Sequence, residues 1–231
     1  LDQLNHTNLL VNSTNPEIQS LLVEKHWAGQ ISNIQCQISN CLSDTVLLVE
    51  TNLGANKANC CVERKTIHTI TKEETEINHL INLTFTNNSP LENPLPPRFY
   101  GGNYISYLRY YLPENATNIR LTAQPTLPKT LSQYPAPFDG LTNKEFEISN
   151  FRMVGFFHLT AAGTKSGVQL SYDLPLDDSG SSSYGRFMNR PYQLTLLKQN
   201  GQQSSPQQIN LFGKISSTNL ESDYTTKSAI N

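Results

Sequence analysis

Two runs around the tetrapeptide KEET constrain this chain most: Val62 to Thr71 and Glu76 to Thr86. Both alternate apolar and polar residues with the period of two that belongs to a half-buried strand. The polar stretch between them is short enough to turn a hairpin. Pairing Thr71 with Glu76 sets Ile70 opposite Ile77, His68 opposite His79, Thr66 opposite Ile81 and Val62 opposite Phe85. These residues share one face, and Arg64 falls on that apolar side. The other face carries Glu63, Lys65, Asn78, Asn82 and Thr84 and is polar.

The period of two continues along the chain. Thr45 to Glu50 reads as a buried strand. Further strands are expected at Tyr104–Leu112, Asn118–Ala123, Glu145–Ser149, Phe151–Leu159, Gly167–Leu174, Tyr192–Lys198 and Gln208–Ile215. Turn-forming segments separate them, among them LPENAT, AAGTKSG and KQNGQQSSP. Ser89 to Gly102 is too rich in proline for a central strand. Many short strands spaced by turns predict a mainly β chain, an antiparallel Ig-like β-sandwich.

The amino-terminal part differs. Asn15-Pro16-Glu17 has the signature of a helix start, with Asn as cap, Pro in the first turn and a carboxylate at the positive end of the dipole. Ile18, Leu21 and Leu22 would form its apolar face, with Gly29 as its stop and Trp27 as a packing anchor. We therefore expect a helix-containing segment over 1–43, as the end of an upstream α/β domain. A sandwich domain over 44–216 and a flexible tail over 217–231 follow.

Hydrophobic residues make up 37% of the chain and charged residues 16%, with a net charge of -2. Such a balance implies neither a strongly basic face nor an acidic tail, so nucleic acid is a poor candidate partner. Asn, Thr, Ser and Gln occupy positions where cytosolic proteins carry Lys and Glu, which suggests an extracytoplasmic surface. No run approaches the roughly 20 apolar residues of a membrane helix. The chain starts without Met, so processing from something longer is expected, with any membrane anchor outside this chain.

Four cysteines allow three pairings. Cys36 and Cys41 flank QISN; if those residues turn a hairpin, the sulfurs face each other, and this is the favoured bond. The register places Cys60 inward and Cys61 outward at the start of a strand. A bond between them would need a distorted peptide, so their state, bonded or free, stays open. A zinc site is the rival reading, but C-x4-C with an adjacent pair lacks the usual ligand spacing.

Several segments together resemble a known family. NPEIQSLLVEKHWAGQI, LLVETNLGANKANCCVERK, LINLTFTNNSP and YGGNYISYLRYYLPENA are similar, in order and spacing, to the carboxy-terminal part of the bacterial "domain of unknown function 4012" family. The matching positions are Trp27 and Gly29; Asn52, Gly54, Lys57 and Asn59; Arg64; Asn87 and Ser89; and Tyr104, Tyr107, Arg109, Tyr111 and Pro113. The resemblance implies an envelope protein with an amino-terminal membrane anchor. It also implies an upstream half related to cell-wall polymer ligases of the LytR–CpsA–Psr type. Cys60 and Cys61 stand where the family has aromatic residues, which makes them look like a covalent staple permitted by an oxidising exterior.

Catalytic motifs are absent: there is no G-x-S-x-G, no H-E-x-x-H and no phosphate-cradling glycine loop. His68 and His79 form the best metal-ligating pair, yet the register places no Asp or Cys beside them as a third ligand. Asp173, Asp177 and Asp178 with Ser179 and Gly180 form an oxygen-rich loop without the spacing of an EF-hand. Tyr107, Arg109 and Tyr111 share a strand face that would suit stacking on sugars or a protein partner; the simpler reading is a strand covered on both sides. The expected function is a non-catalytic extracytoplasmic module with a structural or recognition role. Its partners would be an envelope protein, a glycan or a second copy, and it needs no cofactor. The alternative is the accessory half of an envelope polymer-transferring enzyme.

Overall fold

The computed structural model describes residues 11–25, 28, 41–54, 56–90, 101–124, 146–148, 151–176, 190–199 and 202–230. Asn15 caps the helix α1 (Pro16–Glu24): its side-chain oxygen accepts from the amides of Glu17 at 2.9 Å and Ile18 at 3.4 Å. The helix stops at Glu24, with Lys25 as its cap. Trp27 and Gly29 lie outside the described residues. Of the expected apolar face, Leu22 is buried while Ile18 and Leu21 are exposed.

Twelve strands follow among the described residues: β1 (Leu42–Asn52), β2 (Val62–Lys72), β3 (Glu76–Asn87), β4 (Tyr104–Pro113), β5 (Thr117–Gln124) and β6 (Phe146–Ile148). Next come β7 (Phe151–Thr160), β8 (Lys165–Pro175), β9 (Arg190–Leu197), β10 (Pro206–Leu211), β11 (Lys214–Asn219) and β12 (Tyr224–Ile230). They form two six-stranded sheets, in the orders β12-β9-β1-β4-β7-β6 and β11-β10-β2-β3-β8-β5. The chain is thus mainly β and sandwich-like, but the sheets are mixed rather than purely antiparallel. β9 runs parallel to β1, and β10 runs parallel to β2. Alternation within a strand records which face is buried. It carries no information on a neighbour that returns from more than a hundred residues away.

β2 and β3 hold the faces expected of them, in a different register. Lys72 pairs with Ile77, Ile70 with His79, His68 with Ile81, Thr66 with Leu83 and Arg64 with Phe85. The pairing is displaced by two residues because the turn takes in Glu73 to Glu76, closed by the Glu73 amide on the Glu76 carbonyl at 2.9 Å. A shift of two keeps every side chain on its face, so the core is unchanged. Ile77, Ile81 and Phe85 are all at most 2% exposed. Each side chain of this kind contributes about 1.5–3 kcal/mol by its burial.

Three further expectations change. The single strand over Gln208–Ile215 is a hairpin of β10 and β11. Phe212 and Gly213, both with positive φ, make the two-residue turn that Leu211 and Lys214 close. The segment from Ser217, expected as a tail, completes β11 and carries β12, which pairs along β9 from Tyr224 to Ile230. Backbone bonds to β9, with Leu220 and Tyr224 packed against the core, hold a sequence that is too polar to suggest a strand. The sandwich also starts at Leu42. Strand bonds link the two ends of this unit, since β9 joins both β1 and β12.

Cys60 and Cys61 do not begin β2. They end a 3-10 turn over Ala58–Cys61, and a disulfide joins them to one another. Their Cα atoms are 3.8 Å apart, the spacing of an ordinary trans peptide, so what yields is the extended conformation. Ala58, fully buried, takes the inward position expected of Cys60, which is exposed. Lys57 enters the turn in the left-handed region, with φ 53°. The expected Cys36–Cys41 bond involves Cys36, which lies outside the described residues.

Candidate functional site

Chemistry-bearing side chains gather between the sheets. β1 turns Asp44, Val46, Leu48 and Glu50 toward the opposite sheet, so two carboxylates enter the core on one face. Asp44 is fully buried. Its Oδ2 accepts the hydroxyls of Tyr172 (β8) and Tyr192 (β9), each at 2.9 Å, and lies 3.4 Å from His79 Nδ1. His79 Nδ1 is also 3.2 Å from His68 Nε2, and the His79 ring stacks on Tyr172 with centroids 4.2 Å apart. The two-residue register shift makes the histidines diagonal rather than opposed, yet they still touch.

Burial sets the protonation of this cluster. It pushes the Asp44 carboxyl up to about 7, although the hydroxyls of Tyr192 and Tyr172 oppose the rise. Burial lowers His68 to about 3 and holds His79 well below the ordinary imidazole value, with His68 adding to the effect. A neutral His79 with its proton on Nδ1 donates toward His68 and Asp44. It leaves Nε2 as a buried acceptor without a partner, which costs less than stranding an N–H donor. His68 is 2% exposed and His79 1%.

Six residues along β1, Glu50 anchors a second cluster. Arg64 Nε lies 2.8 Å from both Glu50 oxygens, and its Nη1 donates to the Val62 carbonyl at 2.8 Å. The Tyr104 hydroxyl donates to Glu50 Oε2 at 2.7 Å and accepts from Arg64 Nη2 at 3.3 Å. Burial works against the Arg64 charge, but Glu50 and Tyr104 together outweigh it and raise the guanidinium pKa. This bonding explains how an arginine fits the apolar side of the hairpin. The guanidinium also lies over the Tyr104 ring, 5.5 Å from its centroid.

A third group sits at the β7–β8 turn. His158 Nε2 is 2.8 Å from Ser166 Oγ, which is 2.6 Å from Thr160 Oγ1. His158 Nδ1 has no hydrogen-bond partner, so no carboxylate orients the ring as a catalytic triad would require. Burial lowers this imidazole to about 4. Beside it Asn87, 1% exposed, donates to the carbonyls of Gly102 and Thr160 at 2.8 and 3.0 Å, and accepts the Ser89 amide at 3.0 Å. Its N-x-S sequence is therefore committed to the core.

The structure supplies the carboxylate that sequence reasoning did not place beside His68 and His79: Asp44 arrives from the other sheet. Even so, no group of three or more His, Cys, Asp or Glu side chains among the described residues is arranged to hold a metal ion. Asp173 accepts from Asn78 and Asn118, both at 2.8 Å, as part of a surface ladder. Asp177 to Gly180 lie outside the described residues. Tyr107, Arg109 and Tyr111 do share the outer face of β4. Tyr111 is buried with Leu47, Phe151 and Met153, while Arg109 Nη2 donates to Thr51 at 3.1 Å. Tyr107 packs on Phe157, centroids 4.9 Å apart, and its hydroxyl lies over Gly155.

Fold and site together define the class: a two-sheet β-sandwich crossed by buried polar clusters. No protein-family model matches the chain, and no curated protein matches it. Among solved structures, it is similar to one described as a "putative nutrient binding protein" from Legionella pneumophila. The TM-score is 0.38 with 7% identity, over 74% of this chain and 55% of that one. This chain thus spans little more than half the length of that protein, and a likeness at that level carries no argument about function. Among the described residues no helix is long and apolar enough to cross a membrane, which says nothing of strand-built spans.

Proposed function

We propose that this chain is a non-catalytic extracytoplasmic β-sandwich module of a bacterial envelope protein, with a structural or recognition role. The Cys60–Cys61 disulfide carries the reading. Cys60 is exposed and Cys61 half-buried, so a reducing cytosol would have access to the bond. Enclosure of the acid and imidazole groups supports the absence of catalysis, since Asp44 and His79 are sealed in the core against the two tyrosines and only His68 reaches a cavity lining. The resemblance to the envelope family agrees with the extracytoplasmic location.

A non-reducing peptide map of the protein from its native host tests the proposal. The expected result is a linked Cys60–Cys61 peptide that takes up no alkylating agent before reduction. Quantitative alkylation of both residues in freshly quenched cells would refute an oxidising location.

A further inference from the structure

A cavity of about 70 Å³ opens between the sheets beside the connection from β9 to β10. On the scale where one water needs about 10–15 Å³, that is space for roughly five waters or one molecule of four or five heavy atoms. One part of the lining is apolar: Val46, Leu48, Ile81, Leu83 and Leu196. The rest is polar and donor-rich. Tyr110, 2% exposed and part of this lining, has a hydroxyl without a hydrogen-bond partner, and the buried Nε2 of Gln202, also in the lining, has none either. Unpaired buried donors are rare because each carries an uncompensated desolvation cost. Two on one lining call for an acceptor between them. The charged residues of the lining are Glu50 and Arg64, which offset one another as a pair, and Lys198, whose ammonium donates to the carbonyls of Gln199 and Gln202 at 3.2 and 2.6 Å and leaves one net positive charge.

We propose that this cavity is a binding site for a short-chain carboxylate of two or three carbons. The carboxylate accepts from the Tyr110 hydroxyl and the Gln202 amide, and the alkyl end lies against Leu83 and Leu196. This goes beyond the role assigned above and does not depend on it. A solvent-filled cavity would satisfy the same donors, but would not discriminate an anion with an apolar tail from a neutral alcohol of equal size.

The test is a methyl NMR titration of the whole chain with sodium propionate, with 1-propanol and sodium chloride as controls. A ligand of about five heavy atoms reaches at best modest affinity, so the titration runs to about 100 mM. Saturable shifts of the Ile81, Leu83 and Leu196 methyls with propionate alone are expected. Tyr110→Phe removes only a hydroxyl without a partner and leaves the fold intact. Loss of one donor to a charged acceptor should weaken binding roughly tenfold to a hundredfold in Tyr110→Phe, and similarly in Gln202→Leu. No saturable shift, equal response to propanol, or unchanged affinity in both variants would overturn the assignment and leave the cavity to water.

Discussion

Acidification provides the sharpest test of the buried clusters. His68, His79 and His158 are neutral in the folded chain, with pKa values of about 3, well below 6.5, and about 4. Unfolded, each returns to an ordinary imidazole near 6.5. Between about pH 4 and 6.5 the unfolded chain therefore binds three protons there that the folded chain does not. Asp44 acts the other way. It holds a proton up to about 7 when folded but loses it above 3.8 when unfolded. Its contribution is complete below 3.8 and lost as pH rises through 7. Three protons taken up less one released leaves two. At about 1.4 kcal/mol per proton per pH unit, stability should fall by about 3 kcal/mol for each unit of acidification in this window, peak near pH 6.5 and decline slightly through pH 7 as Asp44 ionises. Urea unfolding at half-unit intervals from pH 4.5 to 7 measures it. Asp44→Asn removes the opposing proton and should steepen the slope to about 4 kcal/mol per unit. A flat profile, or a slope of the opposite sign, would refute neutral buried imidazoles.

Other consequences can be checked by equilibrium denaturation. Arg64→Met strands Glu50 in the core and should cost about 3–5 kcal/mol, whereas Arg64→Met with Glu50→Leu should recover most of that loss. Tyr172→Phe deletes one of two hydroxyl donors to Asp44. It should cost about 1–3 kcal/mol at pH 8, and less at pH 5 where the carboxyl is protonated. Gly101 sits at φ +85° with Ser89 Oγ 2.9 Å from where a Cβ would stand. Gly101→Ala should therefore cost about 1–3 kcal/mol. Gly155→Ala displaces the Tyr107 ring instead, and altered near-ultraviolet dichroism with a smaller stability change would distinguish the two.

Alternation alone gave the faces of β2 and β3, because every second residue of a paired strand must enter the core or the solvent. It could not give their register. Lys72 to Glu76 admit turns that differ by two residues, and both bury the same side chains. The β10–β11 turn was legible in principle, since Gly213 is a residue that tolerates positive φ, but the preceding Phe212 concealed it. On β1, Leu47 and Val49 are as apolar as Val46 and Leu48. Nothing local says which face turns inward, so Asp44 and Glu50 were hidden in an apparently uniform strand.

The amino-acid order by itself determined the helix cap at Asn15, the succession of strands from β1 to β9 and the alternating faces of β2 and β3, through preferences acting between residues a few positions apart. Sheet order, the parallel partners β9 and β10, the place of β12, and the meeting of Asp44 with His79 and of Glu50 with Arg64 were decided by tertiary structure. These contacts join residues from 14 to more than 100 positions apart. Only closure of the whole sandwich selects them, because a buried charge or hydroxyl has no satisfactory place until both sheets are present.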